Sequence, residues 1–319
     1  MEEKRLPLIR LGISACLLGQ KVRYDGNHKL DRYLRDTLGR FVQWIPVCPE
    51  VECGLGVPRE RMFLLETKSG SRVRRKDGED LTEQIAKWSN QKKEWLATQD
   101  LCGFIFKCKS PSCGLRDTKI YCKGAVVRRK SAGVFASSFS SSFPILPKED
   151  EGRLHNSQIR ESFVERVFIY ARWLELTAKP LTMHAITEWH ADHKLIFMAH
   201  SPVKARELGS LVANGGNRDI TLLSKEYIGK VMDILDTQAS VNKHVNVLYH
   251  IAGYFKKELS GEEKRELNEL IVLYHRTLVP LIVPLTLLNH YIEKYNKSYL
   301  ERQYYFNPYP AELKLRSCA

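Results

Sequence analysis

Of the eight cysteines in this 319-residue chain, three close or follow short apolar runs. Cys16 ends "GISAC", Cys48 ends "WIPVC", and Cys113 sits in "KCKSPSCGL". Cys113 lies between a Pro-Ser turn and a glycine, with Lys107 and Lys109 before it and Arg116 after it. Turn residues hold a side chain outward on rigid backbone, and neighbouring cations lower a thiol's pKa. Cys113 therefore reads as an exposed, easily ionised thiol, either a nucleophile or a metal ligand. Three thiolates without a fourth leave one position of a bound metal open, and an open metal acts as a Lewis acid. Soft thiolates favour zinc or an iron–sulfur cluster. No CxxC pair is present, so on pattern alone buried cysteines packed at strand ends are the alternative.

The elements that must bring these thiols together are short. "LIRLGISACL" (8–17), "VQWIPVC" (42–48) and "CGFIFKC" (102–108) read as buried strands. "LDRYLRDTLG" (30–39) and "DLTEQIAKWSNQKKEWLATQ" (80–99) read as helices, the second with a capping box of Asp80 and Glu83. Strands alternating with helices predict a parallel α/β sheet, whose ligand crevice lies beyond the carboxyl ends of the strands. Three cysteines distant in sequence would converge there. Residues 140–156, rich in Ser, Pro and charge, read as a linker. Beyond them the period is helical, in segments 157–178, 181–200, 240–259 and 261–281. The expected architecture is an N-terminal parallel-sheet α/β catalytic domain (1–148) followed by an all-α helical domain (149–319).

Charge is uneven along the chain. Residues 1–150 hold 28 Lys and Arg against 18 Asp and Glu, whereas residues 151–319 hold 22 against 19. A basic half suits an anionic partner such as nucleic acid, nucleotide or membrane surface, although surplus surface lysine gives the same count. No apolar run reaches the roughly 20 residues of a membrane span. The acidic tip of the chain does not read as a signal peptide, so the expected compartment is the cytoplasm, where thiols serve metals or catalysis.

The blocks "ISACLLGQKVRYDGNHK", "PVCPEVECGLGVPRE" and "CKSPSCGL" resemble the signature of the thiouracil and thiouridine desulfidases, the TudS family. The helical half resembles the YbgA-type domain through "WHADHKLIFMAHS" and "FNPYPAELKLR". The order of the two resembles fused desulfidases acting on 4-thiouridine in tRNA. The resemblance implies a [4Fe-4S] cluster held by Cys16, Cys48 and Cys113, with the fourth iron open to the substrate sulfur. It implies non-redox, hydrolytic C–S cleavage that yields uridine and sulfide.

Within that frame Glu50, two residues from Cys48, is the expected general base, desolvated enough to work near neutrality. Its alternative is a capping or salt-bridged glutamate. Ser110 and Ser112 would donate a proton or orient the uracil. Tyr24, Asp25, Lys109 and Arg59 would hold base, ribose or phosphate, with ordinary turn chemistry as the competing account of Tyr24 and Asp25. Cys53 stands five residues after Cys48 and reads as a bystander, since a fourth ligand would block the substrate. Cys102, Cys108 and Cys122 read as core thiols, and Cys318 has no assigned role.

Two basic runs, with Arg74 and Arg75 in one and Arg128 and Arg129 in the other, are the expected RNA contacts, or else solvated surface. His190 and His193, three apart on a helix, suit a metal less than an internal hydrogen-bonding pair. Lys194 and His200 fit RNA contact or a packed polar seam, and Tyr304, Tyr305 and Tyr309 fit base stacking or a packed tail. The partner expected is tRNA carrying 4-thiouridine. Free thiouracil or 4-thio-UMP is the alternative substrate, and a non-catalytic, metal-containing RNA-binding or redox-sensing protein is the alternative from another class.

Overall fold

The computed structural model describes residues 7–67, 70–122 and 125–317. The chain divides into two compact units, Met1–Phe163 and Val164–Ala319.

The first unit is built on two four-stranded sheets. The strands are β1 (Arg10–Ser14), β2 (Gln43–Val47), β3 (Met62–Thr67), β4 (Gly70–Arg75), β5 (Leu101–Phe106), β6 (Thr118–Cys122), β7 (Ala125–Ser131) and β8 (Lys148–Asp150). The first sheet runs β2-β1-β5-β8 and is parallel throughout. Central β5, "LCGFIF", is buried at every residue, as a parallel strand covered on both faces must be. Gly12 on β1 makes room for Phe104 on β5: a Cβ there would lie 2.1 Å from the Phe104 ring. That ring stacks on Phe106 at 4.3 Å and meets Phe139 of the helix α3 (Val134–Ser142) at 4.8 Å.

The three strands expected from the apolar runs are therefore β1, β2 and β5. The segment expected as a helix over 30–39 is a short π-helical turn, Tyr33–Thr37, followed by a 3₁₀ turn, Leu38–Arg40. Helix α2 (Thr82–Ala97) forms where expected, but without the Asp80–Glu83 box. Asp80 instead accepts from the Thr82 backbone N–H at 3.0 Å and from Arg72 at 3.0 Å. Among the described residues a capping box is formed by Ser260 and Glu263.

The second sheet, β4-β3-β6-β7, escaped the sequence reading. Two antiparallel hairpins join through parallel β3 and β6, with Leu64 opposite Ile120 and Leu65 opposite Tyr121. Leu64, Val73 and Ile120 bury one face against Leu55, Leu81 and Ile85. The basic runs "SRVRRK" and "VVRRK" fall on β4 and β7, the two edges of this sheet. Lys and Arg on an edge strand discourage pairing with another chain, which explains basic residues there without any RNA.

Residues 148–150, expected in the linker, close the first sheet as β8, and the boundary between units falls at Phe163/Val164. The second unit is helical, with α4 (Ser157–Thr177) crossing the boundary. It continues through α5 (Met183–His200), α6 (Pro202–Ala213), α7 (Ile220–Asp236), α8 (Val241–Ala252), α9 (Gly261–His275), α10 (Ile282–Lys294) and the short α11 (Ser298–Glu301). Side-chain oxygens of Thr182, Ser201, Asp219 and Ser260 cap α5, α6, α7 and α9. No helix among the described residues is long and apolar enough to cross a membrane.

Candidate active site

Parallel pairing of β1 with β2 and β5 sets three loops side by side at the carboxyl edge of the first sheet. Around them is a cavity of about 330 Å³ lined by Cys16, Cys48 and Cys113. Each loop is held by local chemistry. After β1 the chain makes a 3₁₀ turn (Ala15–Leu18), and the Cys16 carbonyl accepts from Lys29 N–H at 2.9 Å, folding residues 19–29 back over the cavity. After β2, helix α1 (Pro49–Glu52) starts directly at Cys48, and Glu52 turns back to accept from the Cys48 N–H at 2.8 Å. In the third loop the Ser110 hydroxyl accepts from Cys113 N–H at 3.1 Å, and the Ser110 carbonyl accepts from Gly114 N–H at 2.9 Å. A Cβ on Gly114 would lie 2.2 Å from the Thr118 hydroxyl, so the turn closes only around glycine.

Burial is the first correction to the expected thiol chemistry. Cys113 is 6% exposed, not presented outward. Burial, and then the neighbouring Glu50, Cys48 and Cys16, push its thiol well above the ordinary range. Burial and Cys48 raise Cys16 to about 12. Burial also raises Cys48 to about 11, against the pull of backbone N–H groups. Thiols that oppose one another's ionisation at one cavity are suited to a shared cation, which removes both the burial and the repulsion terms. None of the three is in a disulfide.

Among the described residues no His, Cys, Asp and Glu group is close enough to hold a single metal ion. The three thiols instead stand around a cavity. That donor set fits a polynuclear cluster, whose separate iron corners each take one thiolate.

Glu50 is the polar hub of the cavity. Its Oε1 accepts from the Ser112 hydroxyl at 2.6 Å, with the Ser110 hydroxyl at 3.4 Å, and its Oε2 pairs with Arg59. The glutamate is thus salt-bridged, as its alternative reading had it, and it lines the cavity at the same time. Arg59 also donates to the Val22 carbonyl at 3.0 Å and the Gly56 carbonyl at 3.1 Å, tying the first loop to the second. Ser112 is fully buried behind Cys113, its hydroxyl 3.6 Å from the sulfur.

Of the other expected residues, Tyr24, Lys109, Ser110 and Arg59 line the cavity. Asp25 is outside its lining. It accepts from Asn27 N–H at 3.1 Å and from Arg23 at 3.3 Å, which is turn chemistry. Cys53 packs against the Leu55–Leu64 core and donates to the Glu50 carbonyl at 3.3 Å, away from the cavity. Cys102 is buried in β5 as a core thiol, whereas Cys108 lines the cavity wall, against the expectation.

Arg74 and Arg75 stand at 3.7 Å from Asp80 and 2.7 Å from Glu79 respectively, and Arg72 is 3.0 Å from Asp80, so all three arginines of the first basic run are paired. The side chains of Arg128 and Arg129 lie outside the described residues, as does Cys318.

Sequence reasoning missed the acidic segment 149–151. Glu149, Asp150 and Glu151 are all under 9% exposed and all brace the third loop. Glu151 accepts from Cys108 N–H at 2.6 Å and pairs with Lys107. Asp150 accepts from Leu115 N–H at 3.1 Å, and Glu149 pairs with Arg116 at 2.5 Å. Burial raises Asp150 to about 6. A signal was present: Lys107 and Arg116 flank the cysteine, and the nearest downstream carboxylate run is this one.

The histidines of the second unit form no comparable site. His193 is fully buried, with Nδ1 2.7 Å from the Trp189 carbonyl and Nε2 accepting from Arg172 at 3.1 Å. His190 meets the Tyr227 hydroxyl at 3.1 Å, and burial lowers it to about 4. His200 Nδ1 is 2.7 Å from the Thr237 carbonyl, while Lys194 is exposed. Tyr305 and Tyr309 are buried and Tyr304 stacks on His193 at 4.5 Å, so these rings pack the chain's tail.

Four thiols thus line the cavity, Cys108 together with Cys16, Cys48 and Cys113, beside the Glu50–Ser112 pair. Residues 11–151 match the family described as 2-thiouracil desulfurase, and residues 194–310 match the one described as a protein of unknown function, DUF1722. The chain thus joins a segment similar to the 2-thiouracil desulfurase family to a YbgA-type segment. More particularly, it belongs to the family of Escherichia coli (strain K12) YbgA: it is 32% identical to that uncharacterized protein over 157 residues, 49% of this chain and 93% of the relative. It is also 27% identical to the uncharacterized protein YbbK of Bacillus subtilis (strain 168) over 32% of this chain and 71% of YbbK. Among solved structures, the [4Fe-4S]-dependent thiouracil desulfidase TudS matches at 28% identity and a TM-score of 0.37, covering 46% of this chain and 93% of that one.

Proposed function

We propose that the protein is a [4Fe-4S]-dependent desulfidase that converts 4-thiouridine in tRNA to uridine, by hydrolysis and without net redox change. The observation that carries this reading is the convergence of Cys16, Cys48 and Cys113 on one cavity that also exposes Glu50. The three cysteines would hold the cluster, which when bound supplies a Lewis acid to draw electron density off the thiocarbonyl carbon.

The chain's own residues do the rest. Glu50 takes a proton from the attacking water, while Arg59 fixes its Oε2 and Ser112 its Oε1. The Ser110 hydroxyl, 3.0 Å from that of Ser112, can pass a proton toward the departing sulfur. Across the reaction one water is consumed, the C–S bond is replaced by C–O, and the sulfur leaves as hydrogen sulfide. The Tyr24 ring, with Arg61 4.8 Å from its centroid, offers a face for the base.

The volume of the cavity suits one nucleotide, which supports free 4-thio-UMP as the second reading. The test is anaerobic incubation of the reconstituted protein with 4-thiouridine tRNA and with 4-thio-UMP, side by side. Faster sulfide release from tRNA supports the proposal; turnover of the mononucleotide alone replaces the substrate, and no turnover of either removes the activity.

A further inference from the structure

The second sheet presents a groove that none of the chemistry above uses. It has a volume of about 960 Å³ and shares a wall with the thiol cavity through Tyr24, Arg61, Lys109 and Pro111. Its floor follows from strand register. Leu64 and Ile120 turn into the core, so Phe63, Leu65, Lys119 and Tyr121 take the opposite face of paired β3 and β6. Phe63 and Tyr121 stand edge to face with centroids 5.8 Å apart. Lys76, Lys109 and Lys119 are exposed around this pair, and none of them has an ion pair among the described residues. Glu60 is the acidic side chain of the lining.

Aromatic faces interleaved with unpaired cations are what a single-stranded nucleic acid requires: bases stack on the rings and phosphates meet the cations. A lone nucleotide filling the thiol cavity would leave this groove empty. An acidic peptide would use the lysines but not the rings. We propose that this face of the second sheet binds the nucleotide adjoining the one in the thiol cavity, so that the ligand is a single-stranded stretch of RNA. The inference rests on the desulfidase reading for the identity of the first nucleotide, but its binding test does not. A thiolated base held in such a stretch is already unstacked, which is the condition for it to reach a buried site.

The experiment uses the full-length reconstituted chain, fluorescein-labelled hexauridylate and UMP, each titrated to equilibrium. Tyr121→Leu keeps an apolar side chain on the strand but removes the ring, and it should weaken hexauridylate about tenfold while moving UMP by about twofold or less. Tyr121→Phe should restore hexauridylate binding. Lys119→Glu should weaken hexauridylate and lower its salt slope by about 0.7 to 1.4, as one phosphate contact is lost and one charge reversed. Unchanged hexauridylate affinity in Tyr121→Leu, or equal losses for hexauridylate and UMP, overturns the proposal. So does hexaglutamate binding as tightly as hexauridylate and indifferent to Tyr121→Leu, which would make the groove a peptide site. If the Tyr121 pattern holds while wild-type protein leaves 4-thiouridine intact, the groove stands and the desulfidase reading falls. Turnover of 4-thiouridine without the Tyr121 pattern gives the reverse.

Discussion

Both units bury titratable groups, and they do so in opposite ways. In the helical unit the buried groups satisfy one another. Glu165 takes His200 at 3.4 Å and Arg316 at 3.8 Å, Arg172 takes His193, and His244 meets the Tyr305 hydroxyl at 2.9 Å. In the sheet unit burial raises the pKa of all three thiols at the wall of a cavity, and Cys48 adds to the shift of Cys16 and of Cys113. The first arrangement pairs buried groups with one another, although Arg172 Nη2 is left without a hydrogen-bond partner among the described residues. The second is unfavourable for the ionised thiols until a cation enters, and it is where chemistry belongs.

The sharpest test of this contrast removes the thiols. Cys16→Ala, Cys48→Ala and Cys113→Ala should each reduce bound iron and abolish desulfuration, whereas Cys53→Ala should retain both. Iron and sulfide analysis of anaerobically reconstituted protein checks it, and full activity in any of the first three would end the assignment.

Next in size is the base. Glu50→Gln keeps the shape of the hub but loses the proton acceptor, so turnover should fall about 10²- to 10⁴-fold with iron content unchanged. Near-normal turnover would remove Glu50 from the mechanism.

The bracing of the third loop gives a structural counterpart. Glu151→Ala leaves the partly buried Lys107 with the Cys108 carbonyl at 3.1 Å but without its carboxylate, so the loss should fall somewhat under the roughly 3–5 kcal/mol of breaking a fully buried pair. Chemical denaturation of the iron-free chain should show that loss in the transition of the sheet unit. A loss below about 1 kcal/mol would mean that water replaces the carboxylate there.

The smallest effect tests the helical unit through pH. Burial lowers His190 to about 4 and His244 to about 3, so the unfolded chain binds protons at these rings near 6.5 while the folded chain does not. Burial opposes the charge of Glu165, but His200 and Arg316 outweigh it and lower the group to about 2. All three terms have one sign. Their stabilisation is complete above about pH 6.5 and is lost as pH falls, through the histidines to about 3 and through Glu165 below 4.5. Near-UV circular dichroism during thermal melting from pH 7.5 to 4 should show the helical unit losing stability on acidification. His244→Asn should flatten that dependence, and a melting point constant across the range would contradict it.

How much of this was legible without coordinates depends on the range of the interaction. β1 and β5 could be read because a strand buried on both faces is a continuous apolar run, and the helices of the second unit because an apolar stripe repeats within each. The run at 42–48 also forms a strand, but β2 is an edge strand buried only at Val47, not the buried strand expected. Cys16, Cys48 and Glu50 could be named because each lies within a few residues of a strand end, whereas Cys113, Tyr24 and Arg59 lie farther along the loops and could be named only from the motif blocks around them. Asp25 sits in the same block as Tyr24, and only its bonds to Asn27 and Arg23 separate it from them.

Sequence by itself determined the alternation of elements, the edge at which three thiols meet, and the basic excess of the first half. Tertiary structure alone decided that Cys113 is buried rather than presented, that 148–150 is a strand and 149–151 a brace rather than a linker, and that the first basic run lies on the edge of a second sheet. The reason is one of distance along the chain. Period and capping act over a few residues, whereas the burial of a thiol, or the choice between Glu79 and a phosphate as an arginine's partner, depends on groups that only folding brings into contact.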